Sequence, residues 1–292
     1  MPERLVITKS LFSPAQSVRA RCPVAQWPPE FGAVSVLKNG APVLEARCDR
    51  QISSYSGGGM ALEIAARSKG AYLLDNEAEP RVYENITAQS LFNALIAPFG
   101  FVLVHTQKPP LFEFTVRKGW TLWDAFCAYT RLLYGVIPYV SGDMVMAQPP
   151  APGDPAELGG DIPISSIERT YDHYCPISRV FIRNEDGMYI ARTDESSASA
   201  RGITRTRYLI PAGEYTRVPE WDAYQRLRRG MREMLILRVT VPGHLEIKPG
   251  QGVTVRYPQL TQANLLAEQV VFLLDGKGAR TVLTLKSSYY YQ

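Results

Sequence analysis

Three histidines, four cysteines and a scatter of carboxylates are the residues with which this chain would do chemistry, and their spacing does not assemble them. His105, His173 and His244 lie far apart in sequence, each beside strand-like or turn-like residues. Asp172-His173 holds two residue types of a hydrolytic triad, but neighbours on a strand point to opposite faces and cannot pair as a triad requires. All three histidines read as satisfied structural side chains. Cys22, Cys48, Cys127 and Cys175 form no C-x-x-C pair and have no histidine at ligand spacing, so they read as isolated buried thiols and no metal site is expected. Glu168 and Asp172 illustrate a carboxylate pair of the glycosidase kind, which needs only a spatial separation of roughly 5 to 9.5 Å. Among 28 acidic residues such pairs arise by chance.

The usual catalytic motifs are missing: no Gly-x-Ser-x-Gly, no His-Glu-x-x-His and no Gly-x-x-x-x-Gly-Lys-Ser/Thr. Ser56-Gly57-Gly58-Gly59 has neither the lysine nor the following helix of a phosphate cradle and reads as a flexible loop. Asn85-Ile86-Thr87 matches a glycosylation acceptor, a chance match where no secretory signal precedes it. The expectation is a protein without catalytic residues, cofactor or metal, and not an enzyme.

The elements that carry these residues are β-rich. Asn39-Gly40, flanked by Ala33 to Leu37 and Val43 to Ala46, is a hairpin signal because both turn residues tolerate positive φ. Leu5 to Ile7 reads as another strand, and Met60 to Leu74 as two short strands around Ser68-Lys69-Gly70. From Ile86 the period changes. Thr87 caps a helix with Leu91, Leu95 and Ile96 on one face, ended by Pro98 and Gly100 before a strand at Phe101 to Val104. Phe112 to Val116 then leads into Thr121-Leu122-Trp123-Asp124, a capping box opening a helix with Leu122, Phe126, Tyr129 and Leu133 in one stripe. Gly135 ends that helix, and Val136 to Val140 with Met144 to Ala147 reads as a hairpin around Ser141-Gly142-Asp143.

Residues 148–160, rich in proline and glycine, read as a linker. Beyond it a hairpin is expected around Asn184-Glu185-Asp186-Gly187, an exposed mobile loop at Glu195 to Gly202, and one helix over about 220–234 carrying Trp221, Tyr224, Leu227 and Met231. The other faces of that helix carry Arg226, Arg228, Arg229 and Arg232, read as solvated first and as a site for an acidic protein second. Strands at Leu235 to Val241, Gly252 to Tyr257, Ala267 to Leu274 and Thr281 to Lys286 close the chain, and Tyr289-Tyr290-Tyr291 reads as an interface or a frayed end. The fold class expected is α+β, β-rich: a first β-barrel domain over 1–85, an α+β module of two helix-strand units over 86–147, the linker, and a second β-barrel domain over 161–292.

Charge adds little: 32 basic and 28 acidic residues are mixed along the chain, so the net +4 creates no dense basic block. Apolar runs such as Leu132 to Val140 are broken well before the ~18 residues of a membrane span. Synthesis in a cytoplasm, without a membrane span, is expected.

Four stretches, in this order, resemble the baseplate hub family of Mu-type contractile phage tails: Ala66 to Asp75, Ile86 to Phe101, Phe114 to Leu133, and Leu245 to Tyr257 with the terminal strand pair. The hub portions of contractile injection systems are related to that family. The resemblance implies a homotrimer in which each chain contributes two similar barrels, six barrels forming a pseudo-sixfold ring. Such a ring matches a sixfold tail tube on one side and a threefold spike on the other. The implied partners are further copies of the chain, the central spike protein, the tail tube protein and baseplate wedge proteins, with DNA as cargo through the ring. The implied place is the virion baseplate. Val116 to Leu122 also resembles the start of a LysM repeat, which implies a peptidoglycan-binding cell-wall protein as the alternative. A carbohydrate-active enzyme is the third reading. No interface residue is singled out by sequence.

Overall fold

The computed structural model describes residues 2–184, 186–210 and 219–291, with the side chains of 190, 191 and 219 outside it. It is α+β and β-rich. The first unit contains β1 (Arg4–Ser10), β2 (Ser17–Val24), β3 (Ala33–Lys38), β4 (Ala41–Ser56) and β5 (Gly59–Arg67). The β3–β4 turn is the expected one, with Asn39 at φ 52 and Gly40 at φ 83. Two expectations fail nearby. Ser56 to Gly59 is not a flexible loop but the tight turn of the β4–β5 hairpin, with Ser56 opposite Gly59. Tyr72-Leu73-Leu74 is not a strand but α1 (Tyr72–Asp75), a single turn that carries Leu73 into the core of the next unit. Arg67 fixes this junction by gripping Asp49 of β4, with Nε to Oδ2 at 2.6 Å, and Asp75, with Nη2 to Oδ2 at 2.9 Å. Its hydrogen bond also holds the Asp49 carboxyl below the usual range.

The middle unit repeats a strand–helix–strand order: β6 (Arg81–Ile86), α2 (Ala88–Leu95) and β7 (Val102–His105), then β8 (Leu111–Val116), α3 (Leu122–Tyr134), β9 (Tyr139–Ser141) and β10 (Met144–Ala147). The two copies are joined strand to strand, β6 antiparallel to β8 and β7 parallel to β10. The apolar stripes of both helices meet in one core, where Phe92 and Phe126 pack edge to face at 5.8 Å. Tyr129 spends its buried hydroxyl on the Ile86 carbonyl at 2.8 Å. Both N-caps form as expected. Thr121 Oγ1 accepts from Asp124 N at 3.1 Å while the Asp124 carboxylate accepts from Thr121 N at 3.2 Å. Thr121→Ala is expected to lower the unfolding free energy by about 1 kcal/mol, measured by urea denaturation; a change near zero would mean that the cap is replaced by water at no cost.

The last unit runs β11 (Ala156–Leu158), β12 (Ser166–Tyr171), β13 (Arg179–Arg183), β14 (Tyr189–Asp194), α4 (Ser196–Ser199), β15 (Thr206–Leu209), α5 (Pro219–Met234), β16 (Leu235–Pro242), β17 (Gly252–Tyr257), β18 (Leu260–Asp275) and β19 (Gly278–Ser287). The linker expectation misses β11, whose Leu158 is fully buried beside β17. Glu195 to Gly202 is largely exposed, as expected, but it contains one helical turn, α4, whose Ala198 is buried against Met231 and Met234. Of the expected β13–β14 turn, Glu185 lies outside the described residues. No described helix is long and apolar enough to cross a membrane.

The β units at the two ends of the chain share a sheet. Its order is β12-β16-β19-β18-β1-β2-β5-β4-β3, with β17 also on β18 and β11 on β17. The sixteen-residue β18 makes the join: on the side away from β19, its first half pairs with β17 and its second half with β1, from Leu5 opposite Leu274 to Ser10 opposite Gln269. One core lies under each end, Leu5, Ile7, Val18, Leu44 and Ala66 at one and Leu237, Val239, Val253, Leu265 and Leu283 at the other.

Candidate assembly interface

Alternation along each strand sorts side chains to two faces. On the sheet shared by both β units, Leu5 and Ile7 go inward, while Arg4, Val6 and Thr8 go outward beside Arg21, Arg19 and Ser17 of β2. Among the described residues β3 and β12 each pair on one side only, leaving both ends of the long strand order open. Each open strand carries a large exposed side chain, Leu37 at 58% and Tyr171 at 44%. Unpaired strand edges are templates for pairing with another chain, which natural proteins otherwise cover or charge. Beside one edge, Lys38 reaches Glu246 at 3.5 Å and His244 Nδ1 at 3.3 Å.

Arg228 and Arg232 of helix α5 are anchored rather than solvated. Arg228 is 6% exposed; it donates to the Tyr224 hydroxyl and the Tyr289 carbonyl. The Arg232 guanidinium contacts both of the stacked rings of Phe12 and Tyr291, at 5.1 and 5.0 Å from their centroids. The terminal tyrosines are accordingly not frayed: residues 288–291 form one 3-10 turn, with Tyr291 8% exposed. The Tyr291 hydroxyl donates to Glu268, which sits at a bulge in β18. Burial first, then the Glu268 charge and hydrogen bond, push that phenol far above its ordinary pKa.

Beneath this turn sits a residue that sequence reasoning placed only at the end of a strand. Lys286 is 6% exposed; its ammonium bridges Glu233 of α5 at 2.6 Å and Glu268 at 2.7 Å. Strand alternation puts Lys286 on the outward face with Val282 and Thr284, and α5 then covers that face at this one place. No local signal marks it, because the cover comes from a remote helix.

The residues weighed for chemistry stay apart. His105 Nδ1 lies 3.0 Å from the Tyr134 hydroxyl, His173 stacks on Tyr171, and His244 packs edge to face on Phe272. Burial, with the nearby Lys38 and Lys9 charges, lowers the His244 pKa. Glu168 faces Arg238 across the sheet at 3.8 Å, and Asp172 accepts the Tyr174 amide at 2.7 Å, so each carboxylate has its own partner. Of the four cysteines only Cys127 is buried, against the expectation for all four; the rest are half-buried. Burial pushes the Cys127 thiol up to about 12 and also raises Cys22 and Cys175, which works against nucleophilic thiolates. Among the described residues no group of three or more His, Cys, Asp or Glu side chains is placed to hold a metal ion.

No protein-family model matches the sequence, and no curated protein does. The fold, however, is matched end to end. The 43 kDa tail protein of prophage MuSo2 from Shewanella oneidensis superposes with a TM-score of 0.83 at 16% identity, over 100% of this chain and 96% of that one. A tail protein from Neisseria meningitidis MC58 gives 0.80 at 19% identity, over 99% and 93%. An E. coli component of the type VI secretion system, itself similar in structure to the T4 bacteriophage tail proteins gp27 and gp5, gives 0.66 at 13% identity, over 99% and 74%. The chain has the fold of these tail and secretion proteins.

Proposed function

We propose that the chain is a structural component of a phage tail, the baseplate hub, with no catalytic role of its own. Three copies join head to tail into a ring between the sixfold tail tube and the threefold central spike, with wedge proteins outside. The observation that carries this reading is the sheet that runs through both β units and ends in two open edges, β3 and β12. Contacts between unlike surfaces generate a ring when the rotation closes. Two β units per chain then present six to the tube and three chains to the spike. The fold likeness to tail proteins over the whole chain supports the tail as the place, and the separately satisfied histidines and carboxylates support a structural role.

The test is the native mass of the purified chain, alone and after mixing with the central spike protein. Three times the chain mass of 32.6 kDa, with the spike co-migrating, is the expected result. A stable monomer that ignores the spike and is retained on purified peptidoglycan would overturn the ring reading in favour of cell-wall binding.

A further inference from the structure

We infer that the exposed face of the first β unit binds the phosphate backbone of nucleic acid, through Arg4, Arg19, Arg21 and Arg50. These four arginines line one concavity of about 670 Å³, floored by Val6 and Ala65. The register brings them together: Arg4 is opposite Arg21, Arg19 is opposite both Val6 and Ala65, and Arg50 is opposite Ala65 from the other side. Neighbouring strands are ~4.8 Å apart and same-face residues on one strand ~6.8 Å apart, so the four arginines, spread over β1, β2 and β4, occupy a patch whose backbone positions span about 16 Å.

The patch is not balanced internally. Among the described residues Arg4, Arg19 and Arg50 form no ion pair, while Arg21 is engaged both by Glu63, the one carboxylate lining the concavity, and by Glu3, each at 3.5 Å. Like charges placed directly opposite on a sheet oppose folding, so stability does not account for Arg4 facing Arg21. An external polyanion does. Among the described residues no aromatic side chain lines the concavity, so it offers no ring for stacking on bases and no aromatic anchor for a protein partner. What is left is charge, the sequence-independent part of nucleic-acid binding. The arginines are exposed in the single chain, so the inference does not depend on the ring reading.

The full chain would be titrated against a fluorescent random-sequence DNA duplex by anisotropy, at salt from about 50 to 200 mM. Three unpaired arginines neutralising about three phosphates give a log–log salt slope near −3 and an affinity loss of a few tens-fold over that range. R4Q/R19Q/R50Q is expected to abolish the salt-dependent binding with a thermal unfolding no lower than the parent's, since the Arg4–Arg21 repulsion is relieved, while R192Q, on β14, binds as the parent does. Wild-type protein that ignores the duplex, a triple variant that binds normally, or a preference for polyglutamate over the duplex would each overturn the site, the last pointing to an acidic protein. Native mass on the same samples separates the two readings: a monomer that binds through these arginines keeps the site and loses the ring, and a trimer that ignores the duplex keeps the ring and loses the site.

Discussion

Lys286→Met is expected to lower the unfolding free energy by about 3 to 5 kcal/mol, because it removes one ammonium from two partly buried carboxylates. The side chain of Lys286 is 7% exposed, against 32% for Glu233 and 18% for Glu268, so water replaces little of what the lysine supplies. Arg232, at 3.3 Å from Glu233, and the Tyr291 hydroxyl on Glu268 remain, but neither reaches both acids. The damage spreads because Lys286 stitches α5 to β18 and β19, where the terminal tyrosines also dock. Chemical denaturation measures the loss; a change below about 1 kcal/mol would place this cluster with ordinary surface ion pairs.

The same variant should invert a pH dependence. Burial raises the Glu233 pKa, but the hydrogen bond and charge of Lys286, with Arg232, bring it below the ordinary glutamate range. A carboxyl depressed in the fold stabilises it above the unfolded pKa, and that contribution is lost as pH falls through the folded one. Without Lys286 the burial effect dominates, the folded pKa rises, and stability is lost as pH rises. The gap between parent and variant is therefore widest near neutrality and narrows below about pH 4.5; a gap independent of pH would mean that lost packing, not charge, explains the destabilisation.

What was legible in the sequence was what is set locally. Asn39-Gly40, the Thr121 to Asp124 capping box and the Gly135 stop each depend on a few adjacent residues, and each formed where its chemistry demanded. Strand β2 was missed because Arg19 and Arg21 alternate with small residues, and small residues mark an inward face weakly. Tyr72-Leu73-Leu74 is too short for periodicity to separate a turn of helix from a strand. The pairing of β1 with β18 has no local signature at all, since it joins the two ends of the chain. The arginines of α5 were read as solvated for the same reason: their partners Phe12, Tyr289 and Tyr291 come from distant segments. Function followed a similar division. Missing motifs argued against catalysis from the start, but the open edges and the arginine concavity exist only once the strands are in register.

Gly159→Ala should be the more severe of two neighbouring substitutions, costing about 4 kcal/mol or more where Gly160→Ala costs about 0.5 kcal/mol or less. Gly159 has φ +96, and a Cβ there would fall 1.6 Å from the Arg256 carbonyl oxygen, whereas at Gly160 it would meet only Glu157 Oε1 at 3.8 Å. The two contacts differ in kind: the tip of an exposed side chain moves aside, but a backbone carbonyl inside β17 cannot move without breaking its ladder to β18. Relief must come from β11, which would swing off β17 and withdraw Leu158 from the core. The chain continues from Gly159 through Ser165, whose amide bonds the Thr240 carbonyl at 2.8 Å, into the open strand β12. A displaced β11 thus drags on an edge that the proposed ring would use, and the alanine variant is expected to lose the proposed trimer at temperatures where its far-UV spectrum is still folded. If Gly159→Ala and Gly160→Ala melt together and assemble alike, β11 is a passive strap and the second β unit holds its edge without it.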